Sequence, residues 1–74
     1  MTPTPEDIAT IKKLVQKLEK HYPLEIRLHG SNEAWFMRLN DHSAAGNVDF
    51  YTVLDMLRTV EFLGDIGLLK GKEN

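Results

Sequence analysis

The chain has 74 residues, no cysteine and a formal charge of −2 at pH 7, and 42% of it is hydrophobic. That length supports a single domain over residues 1–74 with one core. Without cysteine there is no disulfide framework or thiolate metal site, and the negative balance opposes sequence-independent nucleic-acid binding, which needs a concentrated positive field. No apolar run reaches the roughly 18 residues a membrane span requires, and the amino terminus lacks the pattern of a signal peptide, so a cytoplasmic protein is expected.

Residues 1–3 read as a disordered tail. Thr4, Pro5, Glu6 and Asp7 then form a helix start: a hydroxyl at the N-cap, proline at the first helical position, and two acids beside the positive end of the helix dipole. Asp7, three residues after Thr4, offers a variant of the capping box. Ile8, Ile11, Leu14, Val15 and Leu18 keep one apolar stripe to about His21, Lys12, Lys13, Lys17 and Lys20 lie off it, and Pro23 stops the helix.

Leu24, Ile26 and Leu28 alternate with Glu25, Arg27 and His29, and Trp35, Met37 and Leu39 alternate with Phe36 and Arg38. Gly30, Ser31, Asn32 and Glu33 supply turn chemistry between these runs, so an antiparallel hairpin is expected. With Ser31 and Asn32 at the tip, Leu28 faces Trp35, Ile26 faces Met37 and Leu24 faces Leu39, while Arg27 meets Phe36 and Glu25 meets Arg38 on the other face.

Residues 40–48 (NDHSAAGNV) read as a flexible loop. Asp49 makes an N-cap for a helix over residues 50–63, in which Phe50, Val53, Leu54, Leu57 and Val60 hold one face and Gly64 serves as a left-handed stop. A competing reading places a short third strand near 48–53 or 66–69; Ile66, Leu68 and Leu69 are too apolar for a free tail and are expected to dock as a short strand or an irregular arm. Residues 70–74 read as disordered. The fold class expected is therefore α+β: a two-layer α-β-β-α domain whose hairpin packs against two helices.

Once that core is counted, Phe36 is left on the outward face of the hairpin, and Tyr51, Met56, Phe62 and Leu63 flank the buried stripe of the second helix. Excess apolar surface of this kind marks an interaction site, and a symmetric homodimer would bury it, through the second helix or by pairing hairpin edges into a continuous sheet. Arg27, Phe36, Arg38, Tyr51, Met56 and Phe62 are the candidate interface residues, the bland alternative being that the C-terminal arm covers the second helix.

No constellation here specifies a catalyst. The histidines, His21, His29 and His42, show no HxxxH, HxH or HExxH spacing, and His42 with Asp41 and Asp49 is a loop cluster fit only for weak divalent binding. Asp41, His42 and Ser43 have triad residue types, but adjacent side chains cannot converge in triad geometry. The small residues Ala44, Ala45, Gly46 and Asn47 precede a helix start but lack the lysine and hydroxyl of a phosphate loop. No catalytic residue, cofactor or metal is expected.

The outward hairpin face, with Arg27, His29, Phe36 and Arg38, is the alternative: a stacking surface for single-stranded nucleic acid with only one aromatic. With a third strand, the order helix, three strands, helix resembles the double-stranded-RNA-binding fold. The lysine-rich start of that fold's last helix has no counterpart in residues 49–55. The function expected is that of a small protein-interaction module, an adaptor, regulator or inhibitor, that self-associates.

Overall fold

The computed structural model describes residues 3–31 and 34–71. Five elements follow one another: α1 (Pro5–His21), β1 (Ile26–Gly30), β2 (Trp35–Leu39), β3 (His42–Val48) and α2 (Phe50–Asp65). The strands form one antiparallel sheet in the order β1-β2-β3. No helix among the described residues is long and apolar enough to cross a membrane.

α1 starts where its sequence says it should. Thr4 caps it, accepting from the Asp7 N–H at 3.1 Å, while the Asp7 carboxylate accepts from the Thr4 N–H at 3.1 Å. It ends at His21, with Pro23 beyond. Ile11, Leu14 and Leu18 of α1 join Phe50, Val53, Leu54 and Leu57 of α2 over Ile26 and Met37 of the sheet, and these nine residues are the buried core. Both helices thus cover one face of the sheet. The other face carries Arg27, His29, Phe36 and Arg38, all exposed.

The hairpin forms, with its register two residues away from the expected one. Ile26 pairs with Leu39, Leu28 with Met37 and Gly30 with Trp35. The Ser31 N–H donates to the Ala34 carbonyl at 3.0 Å, which extends the pairing one step beyond Gly30 and Trp35. A shift of two keeps every side chain on its expected face, because the strand period is two. The cross-strand partners change, however: His29 now faces Phe36, and Arg27 faces Arg38.

The expected loop at 40–48 is instead β3, so the third strand lies at neither 48–53 nor 66–69. Asn40 and Asp41 form a tight turn between Leu39 and His42, with Asn40 at φ 55°. β3 itself is poor in strand formers; Ala44, Ala45 and Val48 give it a thin apolar side against the core. Its register slips twice against β2, and Asn47 sits at φ 56°, marks of a bulged edge.

α2 follows at once, capped by Asp49, whose Oδ1 accepts from the Tyr51 N–H (2.6 Å) and the Thr52 N–H (3.0 Å). It runs through Gly64 to Asp65, so Gly64 is not its stop. Gly67, at φ 82°, is. The Gly67 N–H donates to the Gly64 carbonyl and the Leu68 N–H to the Leu63 carbonyl, the paired bonds of a Schellman motif. Residues 66–69 are an irregular arm in which Leu69 is half-buried while Ile66 and Leu68 stay exposed. Leu69 and Gly71 line a crevice with Lys17, His21 and Tyr22 at the end of α1. The rest of the expected tails, residues 1–2 and 72–74, lies outside the described residues.

Candidate functional site

The six candidate interface residues do not converge. Tyr51 is half-buried, and its hydroxyl donates to Asp7 Oδ2 at 2.8 Å. The same bond holds the Asp7 carboxyl below its usual value, after the larger effect of the Thr4 N–H, and raises the Tyr51 phenol. Met56 is half-buried against the core. Of the α2 trio only Phe62 is free, 58% exposed on the outer face of that helix.

Arg27, Phe36 and Arg38 lie on the opposite side of the molecule, on the open sheet face. There Phe36 stacks on His29 with ring centroids 5.0 Å apart and planes 6° from parallel. Gly46 lies beside the Phe36 ring: a side chain there would come within 3.3 Å of it. Neither arginine is idle. Arg27 Nε donates to Glu25 Oε1 at 2.8 Å, and Arg38 Nη2 donates to the Asp41 carbonyl at 3.0 Å.

The loop cluster around His42 is dispersed. His42 opens β3, Asp41 sits in the turn, and Asp49 is committed to capping α2. Among the described residues no group of three or more His, Cys, Asp or Glu is placed to hold a metal ion. The small-residue stretch considered as a phosphate loop is the middle of β3. The helix, three strands, helix order is realised, but α2 reaches Arg58 before its first cation.

Residues whose spacing suits the core also line a surface groove. Between α1 and β1 runs a groove of about 630 Å³, walled by Ile8, Ile11 and Val15 on the helix and by Leu28 and Trp35 on the sheet. β1 is an edge strand, so the groove opens along a line of backbone groups. The Asn40 N–H donates to the Glu25 carbonyl, and the Ser31 N–H to the Ala34 carbonyl. Those two pairs fix the alternation: residues 25, 27, 29 and 31 bond to β2, while Ile26, Leu28 and Gly30 turn their N–H and C=O groups outward. The Ile26 N–H is taken by Glu19 Oε2 at 3.2 Å, which blunts that end of the edge.

Trp35 also lines the groove, and its Nε1–H is buried without a hydrogen-bond partner. Its ring lies over Gly30, where any side chain would collide with it. Comparison of the chain with protein-family models, with curated proteins and with solved structures finds no match in any of the three.

Proposed function

We propose that this chain is a small non-enzymatic protein-interaction module that accepts an extended segment of another polypeptide as a fourth strand beside β1. One observation carries the reading: an edge strand with outward backbone groups at Leu28 and Gly30 runs along an apolar groove roofed by α1. Backbone pairing would supply affinity and the groove would select alternate side chains, the general logic of strand addition. The other edge, β3, is bulged and polar and offers a poorer template.

A bare extended segment suits this site better than β1 of a second copy, which would bring its own α1 against the first. We assign self-association instead to the outer end of α2 and the arm that follows it, where Phe62, Ile66 and Leu68 are 58%, 51% and 74% exposed. A cysteine-free chain suits a reducing compartment, so we place its work in the cytoplasm. The single-stranded nucleic-acid reading has less support: Arg27 is paired with Glu25, Phe36 is the one aromatic besides His29 on the open sheet face among the described residues, and the chain carries a charge of −2.

The test is amide exchange and chemical-shift mapping by NMR against a library of extended peptides. Binders should protect the Leu28 and Gly30 amides, and Leu28→Pro, which removes an outward donor at a tolerated edge position, should abolish binding with an unchanged far-UV spectrum. Shifts confined to the sheet face or to α2, or full binding by Leu28→Pro, would sink the reading.

A further inference from the structure

The groove is polarised, and its polarity specifies the segment it would take. α1 passes through residues 22–25 into β1, so helix and strand run in opposite directions along the two walls. At the Ile26 end stands Glu19, an acceptor and a negative charge, with its Oε2 on the Ile26 N–H. Two helical turns earlier, about 10.5 Å along α1, Lys12 lines the same groove towards His29 and Gly30. That end also holds the outward Gly30 N–H. Donors and positive charge therefore gather at one end and a carboxylate at the other, with Val15 and Leu28 between. Among the described residues neither Lys12 nor Glu19 has an ion-pair partner within the chain.

Resting on the strand-addition reading, we propose that the bound segment is an acidic–apolar–basic peptide lying antiparallel to β1. Its acidic residue, nearer the peptide's amino terminus, faces Lys12; its basic residue, nearer the carboxyl terminus, faces Glu19. Antiparallel pairing lets Leu28 exchange both of its outward bonds with a single opposing residue, which parallel pairing does not. Directly opposed residues share a face, so the residue opposite Leu28 enters the groove and must be apolar. Its neighbours two positions away, opposite Gly30 and Ile26, point the same way and come to the two charged ends. Intervening residues face the side of Arg27 and His29 and are free to be polar.

Two capped heptapeptides of identical composition test this. One reads Thr-Glu-Thr-Ile-Thr-Lys-Thr, the other Thr-Lys-Thr-Ile-Thr-Glu-Thr. At low salt the first should bind about tenfold more tightly, two matched partly exposed pairs set against two mismatched ones, and the difference should shrink as salt is added. Lys12→Glu, which breaks no hydrogen bond among the described residues, should erase the preference, and the double variant Lys12→Glu/Glu19→Lys should reverse it. Equal binding of both peptides with Leu28 protected overturns the charge order and leaves strand addition standing. Tighter binding of the second peptide overturns the antiparallel orientation. Absence of binding by either at millimolar concentration, with the Leu28 and Gly30 amides unprotected, overturns both.

Discussion

The Tyr51 hydroxyl donates to Asp7 Oδ2 at 2.8 Å, a bond between residues 44 apart that ties the first turn of α2 to the first turn of α1. The same Oδ2 accepts the Thr4 N–H, so one carboxylate closes the capping box and joins the two helix starts. Both bonds need the ionised form, and they hold the Asp7 carboxyl below its usual 3.8. The stability they contribute is therefore complete above that value and is lost as pH falls through the lowered, folded-state value. Tyr51→Phe should raise the Asp7 titration midpoint, seen by NMR of the carboxyl carbon, and flatten the acid side of the stability curve. An unchanged Asp7 midpoint in Tyr51→Phe would show that the phenol does not hold this carboxylate.

Lys17 Nζ meets Glu61 Oε2 at 2.8 Å and provides the second tie between the helices. The Glu61 hydrogen bond and charge raise the Lys17 ammonium above its usual 10.5, so this contribution is present below that value and fades as pH rises through the folded-state one. Both side chains are solvated, at 55% and 30% exposure, so the effect is small and screened by salt. Glu61→Gln should lower the melting temperature slightly in low salt at neutral pH, and the gap from the parent should close at high salt. A gap of the same size at high salt would assign it to packing.

Gly64 of α2 packs against the side chain of Tyr22, the residue that caps the end of α1. A methyl group there would overlap the Tyr22 hydroxyl and ring, although Gly64 lies within α2 and has an ordinary φ. Gly64→Ala should therefore destabilise the parent. In a Tyr22→Ala background the same change should stabilise by about 0.5–1 kcal/mol, the usual gain of alanine over glycine inside a helix. A double-mutant cycle by chemical denaturation reads this sign reversal. Additive effects would mean that Tyr22 moves aside without cost.

Local signals decided which parts of the fold could be read from the residues. Thr4, Pro5 and Asp7 act within one turn, and the α1 start appears where they put it. The faces of the hairpin are legible without its register, because they depend only on whether residue numbers are odd or even, whereas partners such as His29 and Phe36 depend on the turn. β3 was hidden because Ser43, Ala44, Ala45, Gly46 and Asn47 are weak strand formers held in place by β2 and the core. Asn40 followed by Asp41 was its one available signal, a two-residue hairpin turn. The groove was hidden for a different reason. Ile8, Val15, Leu28 and Trp35 have core spacing, and only the strand order shows that β1 is an edge with no other strand of the described residues beside it.

Asn40 does two jobs that substitutions can separate. Its backbone stands at φ 55°, and its Oδ1 accepts the Glu25 N–H at 2.8 Å while its own N–H donates to the Glu25 carbonyl at 2.8 Å. Asn40→Gly keeps the left-handed backbone at no steric cost but loses the side-chain acceptor. Asn40→Asp keeps an acceptor and tolerates the conformation. Asn40→Ala loses both. The stability order expected from denaturant titration is the parent first, then Asp and Gly close together, then Ala. The step from Gly to Ala should be about 1 kcal/mol. If Ala equals Gly, the turn has relaxed to negative φ, and β3 should then lose amide protection at His42, its first paired residue.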